Sequence, residues 1–479
     1  MLHRREFLKS AGGLVLSLIA GSEFSLARRA NGLEDATIFA STTDELSRGI
    51  FEDTILDRAE QGITLQHSSA GKYVKRGTYC SPPIAIPASG KLHLNWTERW
   101  TTPTLWEKDA ANPIITPQNL DERKSTTVTT PFIVETSKER RLYYAVRPKG
   151  ISVALAAPGG GNSWQLRHDL LLTAGPNDAF DAGGVNAPFL ARVNERHWRM
   201  YYVGYHPTEK WSNAPVHQIG VAESEDGGIT WRHTSKDPVI PHGPLGSYDA
   251  FAASAGSVLR VSNEWWMWYG GISQVPYFAS ICLATSADGL VWNKYPGNPV
   301  LRYDPRLRAE AFVVAKPFVL YEGRVFKMWY SAVGYGAGDQ RGGYRVCYAE
   351  SRDGIHWDRF PGNPVVAPSP SGWDHEMDSY PTVLHSTSGY EMWFCGDGYG
   401  NIGHAIGRKQ GSVLVRTRFG NGRSPGSWSN WSTPYSTPDT VDMIGTRSPW
   451  LQIQLTLETD RDDSSPMVQD IQVSRNLGG

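Results

Sequence analysis

The chain has 479 residues, with 47 Lys and Arg against 48 Asp and Glu, a net charge of −1, and 40% hydrophobic residues. That length fills two domains with buried cores, and the balanced, scattered charge offers no basic face for nucleic acid. No run of like charge and no low-complexity segment appears, which excludes a disordered or polyelectrolyte chain.

In chain order, residues 1–30 stand apart from the remainder of the chain. His3-Arg4-Arg5-Glu6-Phe7-Leu8-Lys9 resembles a twin-arginine export motif, and Gly12 to Ala20 is an apolar stretch too short to span a bilayer. Small residues come next, around Ser25-Leu26-Ala27. A chance Arg-Arg pair is the alternative. The pattern predicts a leader cut after Ala27, passage through the twin-arginine machinery, a periplasmic or secreted mature protein, and no stable membrane anchor. Substrates of that machinery cross already folded, so the fold should need no disulfides. The four cysteines, Cys80, Cys282, Cys347 and Cys395, agree, since none has the C-x-x-C spacing of a metal site and two occupy one repeat position as small core residues.

Residues 31–103 carry the strand signals Gly77-Thr78-Tyr79-Cys80-Ser81-Pro82 and Lys91-Leu92-His93-Leu94-Asn95-Trp96. From residue 104 to 410 a repeat of about sixty residues takes over, with several short apolar strands per unit, which is the signature of a β-propeller. Its second strand recurs five times: Leu142-Tyr143-Tyr144, Met200-Tyr201-Tyr202, Met267-Trp268-Tyr269, Met328-Trp329-Tyr330 and Met392-Trp393-Phe394. Ahead of each triplet lies an inner strand marked by Pro131, Pro188, Gly256, Pro317 or Pro381.

After the triplets, three units carry an acidic turn ending in tryptophan, at Ser224 to Trp231, Ser286 to Trp292 and Ser351 to Trp357. Asp and Gly suit a tight turn, the first by bonding its own backbone and the second by accepting positive φ. Repetition on the rim makes these turns structural. The fourth strand is expected at Asp237-Pro238-Val239-Ile240, Asn298-Pro299-Val300-Leu301 and Asn363-Pro364-Val365-Val366. A further copy, Trp106 followed by Asn112-Pro113-Ile114-Ile115, precedes the first unit and is expected to complete the last blade and close the ring.

Residues 411–479 leave the repeat again, with Val413 to Phe419, Trp428-Ser429-Asn430-Trp431-Ser432, Trp450 to Leu457 and Val468 to Val473. Together with residues 31–103 they resemble one β-sandwich module of exported bacterial proteins, cut in two. The fold predicted is therefore all-β: a five-bladed β-propeller inserted into a β-sandwich domain. Two unrelated β extensions are the alternative.

The repeat texture, M-W-Y followed by A-x-S-x-D-G-x-x-W and N-P-V, resembles the five-bladed propeller glycosidases, the superfamily of arabinanases, levansucrases, invertases and mannoside phosphorylases. The resemblance implies a carbohydrate substrate and carboxylates from separate blades around a central funnel. It implies no cofactor, except that a calcium ion sits in the funnel of some relatives. The superfamily usually carries those carboxylates one or two residues before the inner-strand proline. Here the places hold Thr129-Thr130, Asn186-Ala187, Ser254-Ala255, Ala315-Lys316 and Ser379-Tyr380. A glycan-binding propeller without catalysis, serving surface polysaccharide assembly, is the competing reading. A sialidase is a weaker third, because that family has six blades and an arginine triad.

Acidic residues recur instead seven positions before the inner proline or glycine, as Asp181, Asp249, Glu310 and Asp374, with Lys124 in the first unit. They are candidate catalytic groups at the funnel mouth, although four copies in five blades also suit a structural cap. The fifth unit breaks the repeat with His375, Glu376, Asp378 and Tyr380. Asp378 replaces Val128, Val185, Ala253 and Val314, and a carboxylate in an apolar place needs a reason. Asp378 and Glu376 are thus the leading acid and base candidates, beside Asp181, Asp249 and Glu310. Arg147, Asn186, Lys316, Tyr380 and Trp373 are candidate sugar-binding groups, charged or polar for hydroxyls or a carboxylate and aromatic for ring faces. Loop aromatics in excess of the repeat, including Tyr335, Tyr344 and Tyr399, suit the same use.

Overall fold

The structure is a computed structural model. It describes residues 36–475 apart from 69–71, 88–90, 101–104, 118–126, 160–162, 168, 212–213, 275–277, 323, 337–339, 387–388, 409, 423–426, 437–440, 445–447 and 463. The expected leader and Lys124 lie outside the described residues.

Five four-stranded antiparallel blades make a propeller. The inner strands are Thr127–Glu135, Gly184–Arg192, Ala252–Val261, Val313–Glu322 and Ser379–Ser386. Each second strand places the middle residue of its triplet on one face and the outer two on the other, as a period of two requires. Both faces are buried between neighbouring blades, so these strands read as continuous apolar runs rather than alternating ones. Tyr201 packs toward blade three with Val258 and Trp265, whereas Met200 and Tyr202 pack toward blade one with Tyr143 and Val153. Further clusters join blades three to four and four to five. A fifth unites Trp393 and Ile402 with Val128, Leu142 and Tyr144, so the ring closes on itself.

The closing strand is the early copy. Leu105–Lys108 pairs antiparallel with Ile402–Arg408, and Ile115 bridges Ile402. In the other blades the regular fourth strand is a two-residue piece, at Gln165–Leu166, Arg232–His233, Asn293–Lys294 and Asp358–Arg359. The N-P-V segments expected as fourth strands instead make single bridges, Ile219 to Ile240, Ile281 to Leu301 and Val346 to Val366. Proline has no N–H to give to a ladder, which limits these segments to one bridge beyond it.

The acidic turns are inter-blade hooks. Asp226 Oδ1 accepts from Ser224 Oγ at 2.7 Å, Ile229 N at 3.0 Å and Thr230 N at 2.9 Å, while Gly227 and Gly228 take φ of 76° and 85°. The carbonyl thus exposed on Gly228 accepts from Tyr143 Oη of the preceding blade at 3.2 Å. The same latch joins Tyr201 Oη to Gly289 O at 2.7 Å and Trp268 Nε1 to Gly354 O at 2.8 Å.

The two ends of the chain share one sandwich. Lys91–Trp100 pairs with Pro466–Arg475 in one sheet, and Arg76–Cys80 pairs with Trp450–Thr459 in the other. Trp96, Tyr79, Leu455 and Ile453 fill the space between them. The sandwich docks on blade four, where Arg99 Nε meets Glu350 Oε2 at 3.1 Å and Arg352 Nη2 donates to Gln469 Oε1 at 2.7 Å. Among the described residues no helix is long and apolar enough to cross a membrane.

Candidate functional site at the propeller mouth

Each inner strand bulges at its proline or glycine, where the register slips against the second strand. Thr130, Ala187, Lys316 and Tyr380, each just before its proline, take φ between 50° and 55°. An L residue there costs about 1–2 kcal/mol, and the bulge turns these four positions toward the propeller axis. With the inner prolines, Ala255 and Gly256 they line a neck of about 20 Å³, room for about one water. The neck blocks the axis, and the larger cavity lies on the face where the inner strands begin.

Two of those four bulge residues, Lys316 and Tyr380, make that face asymmetric. Lys316 Nζ lies 3.7 Å from the Tyr344 ring centroid, 3.8 Å from Tyr380 and 4.6 Å from Tyr399, and 3.4 Å from Tyr399 Oη. Burial pushes this amine well below its usual range and the nearby Arg147 charge adds to the effect, while the three ring faces favour the ammonium. Arg147 itself is exposed at the end of its strand in blade one, and its side chain makes no hydrogen bond or ion pair among the described residues. Across from it, burial and Arg147 together push His217 down to about 4. Asn186 is 9% exposed, on the inner strand of blade two.

Beside the neck, between blades four and five, opens a cavity of about 270 Å³ lined by Arg341, Tyr344, Glu376, Met377 and Tyr399 among others. The Glu376 side chain is 68% exposed. Its loop is pinned from below by Asp397, which accepts from the amides of His375 at 3.1 Å, Glu376 at 2.6 Å and Met377 at 3.0 Å. Asp378, two residues on, has no exposed surface. Its Oδ2 accepts from Lys108 Nζ at 2.7 Å and its Oδ1 has no partner among the described residues. Burial pushes Asp378 up to about 7 against the pull of Lys108, with Asp374 and Asp397 adding to the rise.

The other sequence candidates lie elsewhere. Asp181 accepts from Tyr202 Oη at 2.8 Å and pairs with His233 at 3.1 Å. Asp249 does the same with Tyr269 at 3.0 Å and Lys294 at 2.6 Å, and Glu310 with Tyr330 at 2.8 Å and Arg359 at 2.7 Å. Each carboxylate is at most 5% exposed and ties the loop into its blade to that blade's fourth strand. The structure thus gives them the capping role and separates them from the mouth. Asp374 follows suit, with Lys108 from the ring-closing strand as its cation. Trp373, expected on the sugar, packs on Phe394 at 5.6 Å and fills the space over Gly396 and Gly403, where a Cβ would overlap its ring. Of the sequence candidates, Glu376, Tyr380 and Lys316 line the neck or the cavity, while Asp378 is buried behind the Glu376 loop and Arg147 acts on Lys316 through its charge. Arg341, Arg345 and Asp397 had gone unremarked in the sequence.

For the calcium ion that some relatives carry, the donors do not fit. Among the described residues no three His, Cys, Asp or Glu gather closely enough to hold a metal, and the Lys108 ammonium already bridges Asp374 and Asp378. Calcium takes six to eight oxygen ligands.

No family model matches this chain. An uncharacterized protein of Mycobacterium tuberculosis is 28% identical over 264 residues, spanning 53% of this chain and 81% of that protein. Among solved structures, one from the GH130 family of mannoside phosphorylases, which contains glycoside hydrolases that target β-1,2 mannosidic linkages in Candida mannan, aligns with a TM-score of 0.50 at 13% identity, covering 70% of this chain and 98% of that one. A glycoside hydrolase aligns with a TM-score of 0.50 at 15% identity, over 66% of this chain and 94% of its own. At such identities the likeness is one of fold.

Proposed function

We propose that this protein is an exported carbohydrate-active protein of the glycoside hydrolase type, which takes a glycan in the cavity between blades four and five. The observation that carries the reading is the exposed Glu376 carboxylate standing in a cavity walled by Tyr344 and Tyr399. Tyrosine faces bury the C–H side of a sugar ring, and the cavity volume suits one or two rings. Glu376 is the group placed to work on a glycosidic oxygen, and Asp397, partly exposed and accepting from the Glu376 amide, is a second carboxylate held against the same loop. Asp378 has no surface with which to touch a sugar, so it acts on the site through its loop and Lys108. Export rests on the Arg4-Arg5 motif and the apolar stretch behind it, with the mature protein periplasmic or secreted.

The test is reducing-end release from a panel of plant and bacterial polysaccharides by the wild type and by Glu376→Gln. Release that falls by about 10²-fold or more in the variant, with the melting temperature unchanged, supports hydrolysis. Glycan binding without release supports the second reading, a non-catalytic glycan-binding propeller. That reading is favoured by one observation, the commitment of Asp181, Asp249 and Glu310 to ion pairs inside their blades. Neither binding nor release would refute both.

A further inference from the structure

The hairpin of blade four that walls the cavity, from Val325–Tyr335 into Arg341–Ser351, carries one guanidinium in the cavity lining and a second next to the lining glycines. Arg341 lines it, its guanidinium lying over the Phe312 ring at 5.1 Å. Arg345 stands just behind, half-buried. The only hydrogen bonds of its guanidinium among the described residues are two contacts of 3.5 Å, to Tyr335 O and Gly343 O, and its Nε is buried with no partner. No carboxylate among those residues pairs with it, and the nearby Arg308 repels it. A desolvated guanidinium without an anion is costly, so a fold that keeps one there leaves a place for an anion.

The glycines of the hairpin open that place. A Cβ on Gly342 would come within 2.6 Å of Arg345 Nη2, and one on Gly343 would overlap the Glu376 carbonyl oxygen. Both glycines line the cavity. Their bare backbone lies between the Arg345 fork and the Glu376 loop, close against both, with no side chain to fill the space at that point.

We infer that the cavity is built for an acidic glycan, with Arg345 and Arg341 gripping the carboxylate of a uronic acid residue while Glu376 faces the neighbouring linkage. This rests on the glycan reading above and narrows it to one substrate class. A planar guanidinium matches a carboxylate through two parallel hydrogen bonds, which an ammonium cannot reproduce.

The test is calorimetric titration of the full chain with oligosaccharides containing glucuronate, galacturonate or mannuronate, each beside its carboxyl-reduced form, and with inorganic phosphate alone. The expected result is one acidic oligosaccharide whose affinity drops about tenfold or more on carboxyl reduction. Arg345→Gln lowers affinity for the acid to that of the reduced form and leaves the reduced form unaffected. Arg341→Gln, at an exposed side chain, gives the same pattern in a variant whose folding is not at issue. Equal binding of acidic and reduced forms, or equal weakening of both by Arg345→Gln, overturns the inference while the glycan reading stands. Phosphate that binds at Arg345 without competing with the acidic sugar also overturns it. If no oligosaccharide binds, the glycan reading falls and takes this one with it.

Discussion

Replacing Asp378 with Asn should make the propeller more stable above neutral pH, not less. Burial holds the folded carboxyl at about 7, whereas an unfolded Asp titrates near 3.9. Between those values the folded chain keeps a proton that the unfolded chain has released. Stability from this group is therefore complete below about pH 4 and is lost as pH rises through about 7. Each pKa unit is worth about 1.4 kcal/mol, so the carboxylate costs about 4 kcal/mol above pH 8 and roughly a third of that at pH 5. Asparagine has the shape of the protonated acid and never ionises. Denaturant unfolding followed by tryptophan fluorescence, on wild type and Asp378→Asn at pH 5 and pH 8, reads the difference directly, and the pH dependence of groups remote from Asp378 cancels in the comparison. The variant should lead by a margin that widens by roughly 2–3 kcal/mol between the two pH values. A margin that stays constant, or a wild type that is the more stable at pH 8, would refute the argument and make Asp378 an ordinary ionised partner of Lys108.

Two further changes probe the frame and the cavity. Asp226→Ala removes the acceptor of four hydrogen bonds in the blade-two turn and should cost about 2–3 kcal/mol in the same unfolding assay; a loss under about 0.5 kcal/mol would mean that the turn holds without its acid. Gly343→Ala drives a methyl into the Glu376 carbonyl, which should lower stability by about 1–3 kcal/mol and abolish glycan binding, whereas unchanged binding would place the sugar away from this cavity.

The blade count and the ring closure were legible because they rest on triplets and prolines that repeat in register. The closing strand could be named from Trp106 and Asn112 to Ile115, since a strand out of place at one end matched one missing at the other. The fourth strands were misplaced because two-residue strands carry no period, while Asn-Pro-Val carries an eye-catching one. The repeating acids were visible, but their cations were not: His233, Lys294, Arg359 and Lys108 differ in type, and the last reaches blade five from the other end of the propeller. Glu376 and Asp378 stood out by replacing neutral residues. Arg345 did not, because the poor pairing of its guanidinium is a fact about its surroundings in space, where only two contacts of 3.5 Å, to Tyr335 O and Gly343 O, meet it.

The strand that closes the ring also sets a clock on synthesis. Leu105–Lys108 leaves the ribosome some three hundred residues ahead of Ile402–Arg408, its partner. At about 5–20 residues per second the early strand waits roughly 15–60 s with its edge unsatisfied. The sandwich waits longer, since Arg76–Cys80 and Lys91–Trp100 find their mates only at Trp450–Thr459 and Pro466–Arg475. A product cut short ahead of Ile402 would therefore carry open edges in both domains, and such edges invite pairing with other chains.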